Sequence, residues 1–459
     1  MKEVFWELLN AIPEYTEFLT LSELDESSRS LAAAHPDCVE LFEVGKTTQG
    51  RPILGLKIGA GSKNALFFGC PHPNEPIGTM LLEHLTRSLA ENPALREALD
   101  YTVYVVKAWD ADGLAKNEGW LKGPYTLFNY SRNFYRPASN VQVDWTFPID
   151  YKKLHFHDVL PETQAMMDLI DRIKPTFTYA LHNAGFGGVY WYVTEDVPEL
   201  YPSLREAAER QGIPLHLGEP ESPSIKVMGP AVLLAEGIEE EYDYFEKFGT
   251  PGTDITKIVT SGTCSDAYSK NKYGTFTFLT ELPYFFDPRI ADATPCDVTR
   301  RDAVLQKLDW TKQSNQKVQD ILAVSRQAMH ADNPYLCTVL DNIDDSGMES
   351  NRRMALEDPA YQRVATTAEY FDNIWVTRFY RLLAYGMLIR AHEYELDSAT
   401  GEQLDALKAG MKLAERLHGE LADELEREMH YSVIPIKKLM NIQLECGLKV
   451  AEYIHDRSK

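Results

Sequence analysis

The stretch NALFFGCPHPNEPIGTMLLEHLTRSLAEN (64–92) decides the fold class of this chain. It begins with an apolar run typical of a buried β-strand and passes through a short turn. It then continues with apolar residues at three- and four-residue spacing, which is typical of an amphipathic helix. Strands that are apolar throughout are expected where helices cover both faces of a sheet. The stretch therefore predicts an α/β domain.

The same alternation extends over the first 290 residues. Further strand-like runs are RPILGLKIG (51–59), YTVYVVKAW (101–109), TFTYALH (176–182), VYWYVT (189–194) and TFTFLTEL (275–282). After DPRIADATPCD (287–297) these runs disappear, and long segments with helical periodicity and charged outer faces take over. We therefore predict an α/β domain over residues 1–298 and an all-α domain over residues 299–459.

The chain is strongly acidic, with 69 aspartate and glutamate residues against 46 lysine and arginine residues and a formal net charge of −23. Such a surface repels phosphate backbones and anionic lipid headgroups, so neither nucleic acids nor membranes are expected partners. The charge does not restrict the substrate, because a metal ion can dominate the field inside a cleft.

The N-terminal residues MKEVFWELLNAIPEYTEF lack the basic start, apolar run and cleavage site of a secretory signal. No later stretch approaches the roughly 20 apolar residues of a spanning helix. The six cysteines form no CxxC pair and are expected to be reduced thiols. From these features we expect a cytoplasmic protein.

Four ionisable residues fall at the ends of strand-like runs. His72 and Glu75 follow the run in the opening stretch, His182 ends TFTYALH, and Glu281 lies near the end of TFTFLTEL. In open α/β sheets, ligands bind outside the carboxyl ends of the strands, so these side chains are expected to converge. Two histidines and a glutamate, with a fourth position left to water, form a catalytic zinc arrangement. Glu281 is then placed to move a proton between water and a leaving amine.

Each of these residues also has a structural interpretation. A His-x-x-Glu pair is common by chance, a histidine at a strand end is often only hydrogen-bonded, and Glu281 can be a paired edge residue. Two other motifs do not indicate a functional site. DADG (110–113) lacks the later ligands of a calcium loop, and the pair His155 and His157 is interpreted as a solvated turn.

At the four ionisable positions the sequence resembles the zinc carboxypeptidases related to pancreatic carboxypeptidase A. The resemblance covers roughly residues 15–290 and rests on six motifs in order. These are VGKTTQGRPILGLKIG (44–59), HPNE (72–75), DADGL (110–114), SRNF (131–134), PETQA (161–165) and TFLTEL (277–282).

The resemblance implies a mixed, mostly parallel sheet with helices on both faces, and a role for each matching residue. It implies that zinc is held by His72, Glu75 and His182, and that Glu281 is catalytic. The substrate-binding residues that it implies are Ser131, Arg132, Asn133 and Asn183.

The sequence departs from the family pattern at several of these positions. Ser131 stands where the family has the asparagine of an Asn-Arg pair that binds a carboxylate, and Asn74 stands where an arginine is usual. An arginine that assists the carbonyl is expected before SRNF, but residues 114–130 contain none, and Lys122 is the only substitute near the expected place, so the catalytic role passes to it. No tyrosine lies between residues 245 and 267, where the family has a capping tyrosine.

Three functions are compatible with these patterns. The first is a zinc metallocarboxypeptidase that cleaves an amide bond near a carboxylate-bearing residue of a small peptide. The second is an N-acyl amino acid deacylase of the succinylglutamate desuccinylase or aspartoacylase type, because HPNEPIG (72–78) resembles the His-Gly-Asn-Glu-x-x-Gly of those enzymes. The third is a non-catalytic binding protein that retains the fold. The helical region has three open roles: forming a homo-oligomer, covering the cleft, or setting substrate length.

Overall fold

The computed structural model of the protein describes residues 1–457. Its strands in chain order are β1 (Val39–Lys46), β2 (Pro52–Ile58), β3 (Lys63–Gly69), β4 (Tyr101–Val106), β5 (Ile149–Tyr151), β6 (Leu154–Phe156), β7 (Phe177–His182), β8 (Tyr190–Val193), β9 (Val227–Gly229), β10 (Val232–Leu234), β11 (Phe276–Glu281), β12 (Phe285–Phe286), β13 (Pro295–Thr299), β14 (Val364–Thr366) and β15 (Ser432–Val433). Within the described residues, nine strands form the main sheet in the order β1-β2-β4-β3-β7-β11-β8-β10-β9.

The α-helices fall into two groups along the chain. Those before residue 300 are α1 (Glu3–Asn10), α2 (Leu21–Ala34), α3 (Ile77–Glu91), α4 (Pro93–Leu99), α5 (Ala111–Leu121), α6 (Leu127–Asn133), α7 (Pro161–Ile173), α8 (Tyr201–Gln211), α9 (Ile238–Phe248) and α10 (Ser265–Tyr273). Those after it are α11 (Arg300–Ser325), α12 (Pro334–Asn342), α13 (Met348–Glu357), α14 (Thr367–Phe371), α15 (Thr377–Leu396), α16 (Gly401–Glu428) and α17 (Ile436–Arg457). Across residues 1–457, every helix is too short or too polar to cross a bilayer.

Four parallel strands form the middle of the main sheet. β4, β3, β7 and β11 lie side by side and run in the same direction, whereas β2 and β8 border them in the antiparallel sense. The carboxyl ends of the four central strands therefore meet at one edge of the sheet. The predicted mixed α/β sheet with a helical C-terminal region is confirmed, with parallel pairing concentrated at its centre.

Strand β3 is buried on both of its faces, which explains why its sequence is apolar. Ala65 and Phe67 pack into a hydrophobic core that includes residues of α3 and α17, whereas Leu66 and Phe68 pack into a second core with residues of α7. Successive side chains of a strand point to opposite faces, so a strand that is covered on both faces must be apolar at every position. The apolar run of residues 64–70 therefore reflects burial on both faces of the sheet.

The C-terminal helices pack directly against the sheet domain. Helix α15 contacts α6 and α16, and α17 lies against α3 and α8. Beneath the sheet, the hydroxyl of Tyr179 on β7 donates to the carbonyl oxygen of Gln443 on α17 at 2.6 Å. The domain boundary near residue 300 remains a prediction, because helices on both sides of it share one hydrophobic core.

The close approach of α15 to α6 depends on Gly386. A Cβ atom at this position would overlap the carbonyl oxygen of Ser131. We expect Gly386→Ala to lower the free energy of unfolding by about 1–3 kcal/mol through overpacking, although alanine is the better helix former. Chemical denaturation of the variant and the wild type measures this difference.

Gly419→Ala in α16 is the matched control, because no atom lies within 4 Å of the Cβ position there. This variant should be neutral or more stable by up to about 1 kcal/mol. A Gly386→Ala protein as stable as the Gly419→Ala protein would contradict the close packing of α15 on α6.

Candidate metal centre and cleft

The register of the central strands brings the predicted site residues together. His182 and Glu281 are paired neighbours at the ends of the parallel strands β7 and β11. Gly69, the last residue of β3, pairs with Leu181 on the other side of β7. The turn that carries His72 and Glu75 follows β3 directly, so it lies over the same edge of the sheet.

The side chains of His72, Glu75 and His182 form a buried cluster. One ligand atom from each residue lies within 4.8 Å of the other two. Oε2 of Glu75 lies 3.0 Å from Nδ1 of His182, and the two imidazole rings have their centroids 5.2 Å apart. The structure thus groups the three side chains that the sequence predicts as metal ligands.

Zinc fits this cluster both by the donor set and by an unpaired nitrogen. Nδ1 of His72 is buried and has no hydrogen-bond partner among residues 1–457. Burial, followed by the proximity of Arg136 and of His182, holds the pKa of His72 well below its ordinary value. Its imidazole is therefore neutral, which is the form that binds a metal ion. Two imidazoles and one carboxylate leave the open position of a catalytic zinc site.

Glu281 lies beside this cluster without belonging to it. Its Oε1 is 3.8 Å from Nδ1 of His182, and its side chain is buried. Burial, followed by the nearby carboxylates of Glu221 and Glu75, raises the pKa of Glu281 well above its ordinary value. A carboxylate with a raised pKa accepts a proton readily, which suits a general base.

A cavity of about 920 Å³ includes this cluster in its wall. On the sheet side, its wall is the face of β8 and β11 that carries Tyr190, Tyr192, Leu279 and Glu281. The C-terminal region also contributes to the wall, with Lys307, Thr338, Tyr380, Leu383 and Met387. The volume is in the range of small-molecule sites. The helical region therefore forms part of the cleft, a contribution that helical periodicity alone could not reveal.

Arg136 is the only arginine that lines the cavity within the described part of the chain. Its Nη1 donates to Oε1 of Glu75 at 3.1 Å, and its Nε donates to Oε1 of Gln142 at 2.9 Å. Its guanidinium lies over the ring of Trp145, 5.2 Å from the centroid. None of the sequence motifs pointed to this residue, which lies just beyond SRNF. The only available signal was that an arginine was expected and absent before that motif.

The structure does not bring Ser131 and Arg132 to the cavity. Ser131 is buried under α16, where its hydroxyl lies 2.8 Å from Nε2 of His418. Arg132 forms an ion pair with Glu393 of α15. The predicted carboxylate clamp is therefore replaced by contacts that dock the C-terminal helices onto α6.

The other two predicted substrate-binding residues, Asn133 and Asn183, also form hydrogen bonds within the protein. Asn133 lies outside the cavity wall, and its carbonyl oxygen accepts a hydrogen bond from Arg390. Asn183 does line the cavity, but both polar atoms of its side-chain amide already have hydrogen-bond partners in the protein. Its Oδ1 accepts from the backbone N–H of Ile77, and its Nδ2 donates to the carbonyl oxygen of Leu282. Asn183 thus joins the start of α3 to the segment after β11.

Lys122 does not reach the metal cluster, contrary to its predicted catalytic role. It lies at the end of α5, where its Nζ pairs with Glu17 and Glu23 at the protein surface. The DADG motif is likewise structural, because Asp110 caps α5 by accepting a hydrogen bond from the N–H of Gly113.

Comparison with known proteins places these observations in a family. The family model for zinc carboxypeptidases, Peptidase_M14, matches residues 24–285. Bovine thrombin-activatable fibrinolysis inhibitor is 14% identical, over 57% of this chain and 86% of its own, with a TM-score of 0.37. Carboxypeptidase A from Helicoverpa armigera is 15% identical, over 61% and 71% of the two chains, with a TM-score of 0.38. No curated protein matches the sequence. Since the family model spans more than half of its residues, the chain belongs to the zinc carboxypeptidase family.

Proposed function

We propose that this member of the family is a zinc-dependent hydrolase that cleaves an amide bond next to a carboxylate-bearing residue of a small peptide. The observation that carries the proposal is the convergence of the zinc cluster and the separate carboxylate of Glu281 on one cavity. A scaffold that only binds peptides needs neither a metal ligand set nor a buried base beside it.

The metal and two residues of the site have different roles in the proposed reaction. When bound, zinc supplies a Lewis acid for the carbonyl oxygen and acidifies water. Glu281 takes the proton of the attacking water and passes it to the leaving amine. Arg136 is the nearest guanidinium for an anionic group of the substrate, since it adjoins Glu75 and faces the cavity.

The preference for small peptides is supported by the size of the cavity and by what lines it. Tyr380, Leu383 and Met387 of α15 line the same cavity as the metal cluster. The cavity volume of about 920 Å³ is in the range of small-molecule sites, which favours a short peptide over a long polypeptide. Among the roles left open for the helical region, the proposal therefore favours a limit on substrate length.

A substrate panel tests the proposed function. We expect the zinc-loaded protein to release free amino acids from peptides of two to four residues, and a chelator to abolish the release because the metal activates the reaction. Amino acids quantified by chromatography provide the readout. Cleavage of N-acyl amino acids alone would instead indicate a deacylase. Peptide binding without any product would indicate a non-catalytic protein.

A further inference from the structure

One segment of the cavity wall, residues 215–222 (the wall segment), lies between the sheet domain and the C-terminal helical region. The residues of this segment that line the cavity are His216, Glu219, Pro220, Glu221 and Ser222. Its start is tied to the sheet domain, because the N–H of His216 donates to the carbonyl oxygen of Val189 at 3.0 Å. From residue 218 to residue 221, the segment forms no hydrogen bond with another backbone group among residues 1–457. Side chains must therefore fix this part of the wall.

Asp372 of the helical region holds the wall segment at two neighbouring points. Its Oδ2 accepts a hydrogen bond from the backbone N–H of Glu219 at 2.7 Å and lies 3.5 Å from Nε2 of His216. The same Nε2 donates to the carbonyl oxygen of Glu219 at 3.1 Å. The side chains of His216 and Asp372 are only 15% and 14% exposed. One mostly buried carboxylate oxygen thus contacts both the backbone and a side chain of the wall segment.

The approach between Asp372 and the wall segment is close. A Cβ on Gly218 would lie 2.6 Å from Oδ2 of Asp372 and 2.8 Å from its Cβ. Asp372 begins a π-helical turn, Asp372–Val376, between α14 and α15. Such turns are rare and are frequently found at functional sites. Thr377 and Tyr380, which follow this turn, line the cavity. The turn therefore connects the contact with the wall segment to the wall that α15 provides.

The side chain of Glu219 provides a second contact with the helical region. Its carboxylate pairs with the guanidinium of Arg300 at the start of α11, where Nε donates to Oε1 at 2.9 Å. Nδ2 of Asn373, the neighbour of Asp372, donates to the same oxygen at 3.0 Å. Hydrogen bonds between charged groups are stronger than those between neutral groups. Three residues of the helical region thus fix the backbone and the side chain of Glu219.

The wall segment also extends to the reaction site. Its Glu221 accepts hydrogen bonds from the hydroxyl of Tyr190 at 2.5 Å and from that of Tyr192 at 2.9 Å. Tyr190 is the cross-strand partner of Glu281. Glu281 and the metal cluster lie on central strands and on the turn after β3, and the wall segment contributes no residue to that cluster. A shift of the wall segment would therefore change the surface that faces a substrate and leave the reacting groups in place.

We infer that Asp372 is a positioning residue of the hydrolase, which holds Glu219 and His216 so that the wall segment keeps the shape that binds the peptide. This inference rests on the proposed function, because it concerns the same cavity. The reacting groups come from the sheet domain, whereas the shape of this part of the wall depends on the helical region. Loss of Asp372 should therefore weaken substrate binding more than it slows the chemical step.

Steady-state kinetics of the zinc-loaded full chain with a peptide that it cleaves test this role. We expect Asp372→Ala to raise KM by about ten- to a hundredfold, the range that a hydrogen bond to a charged group provides, and to lower kcat by less than about threefold. Asp372→Asn keeps an acceptor for the N–H of Glu219 and should recover most of the wild-type KM. A residue that contributes only to stability would lower the free energy of unfolding without separating KM from kcat.

Two further variants distinguish positioning from direct contact with the substrate and from a general loss of charge. Gly218→Ala keeps the carboxylate of Asp372 but places a Cβ against it, so KM should rise in the same direction. Asp397→Ala is the control, because this exposed residue follows α15 outside the cavity wall, and both kinetic constants should be unchanged. The zinc-dependent rise in melting temperature should persist in every variant, because the metal ligands remain.

The outcomes separate this inference from the proposed function. A wild-type KM in both Asp372→Ala and Gly218→Ala would overturn the positioning role and leave the hydrolase intact. A KM that rises in Asp372→Ala alone would indicate direct contact with the substrate and would also overturn it. If Asp372→Ala does not fold, Gly218→Ala decides by the same criterion.

If no peptide is cleaved, the proposed hydrolase fails, and calorimetric titration of the same peptides decides the positioning role. Binding that is weaker by tenfold or more in Asp372→Ala and in Gly218→Ala would then support the role of Asp372. Equal binding by the wild type and these variants, or no binding by any of them, would overturn it.

Discussion

Replacing Glu281 by glutamine is expected to lower kcat by about 10²- to 10⁴-fold, the usual contribution of a general acid–base group. Glutamine has nearly the same shape but cannot accept the proton of the attacking water. Because Glu281 lies outside the group of metal ligands, zinc should remain bound. Turnover of a cleaved peptide, together with zinc content by atomic absorption, measures both effects.

Glu415→Gln, at the exposed surface of α16, is the control for the same chemical change away from the cavity. It should retain wild-type turnover and zinc content. A Glu281→Gln protein with full activity would exclude this carboxylate from the mechanism. One that lost its zinc would show that Glu281 contributes to metal binding after all.

Replacing His182 by alanine is expected to abolish both zinc binding and hydrolysis. Loss of an outer partner of a metal ligand typically costs about 10- to 100-fold in affinity, and loss of a ligand itself should cost more. Zinc raises the melting temperature of a protein that binds it only when folded. The zinc-dependent shift should therefore be present in the wild type and absent from His182→Ala.

His418→Ala is a useful comparison for the loss of a buried histidine. His418 contacts Ser131 behind the cavity and lies outside its wall. This variant should be less stable but still show the zinc-dependent shift. If His182→Ala kept a full complement of zinc, the assignment of the cluster as the metal site would be wrong.

The fold and the metal cluster were predictable because their determinants are local. His182 and Glu281 are each the last residue of an apolar strand, and the parallel pairing of these two strands places their ends together. His72 and Glu75 lie three residues apart in a turn after another central strand. Hydrophobic periodicity and a short motif were sufficient to predict that these four side chains lie at one edge of the sheet.

The substrate-binding residues were not predictable because their partners are distant in sequence. Ser131 and Arg132 are directed away from the cavity by His418 and Glu393, which lie more than 250 residues later in the chain. Arg136 reaches Glu75 from a loop whose path no periodicity describes. Motif matching alone cannot show which of several neighbouring basic residues a loop turns inward.

The position of α17 has a consequence for biosynthesis. Gln443 on this helix donates to the carbonyl oxygen of His182, and it also accepts from Tyr179 under the same strand. Translation proceeds from the amino terminus, so the four clustered residues His72, Glu75, His182 and Glu281 leave the ribosome before the helix that contacts their strand. The contact of α17 with the strand that carries His182 can therefore form only after nearly all of the residues described here have been synthesised.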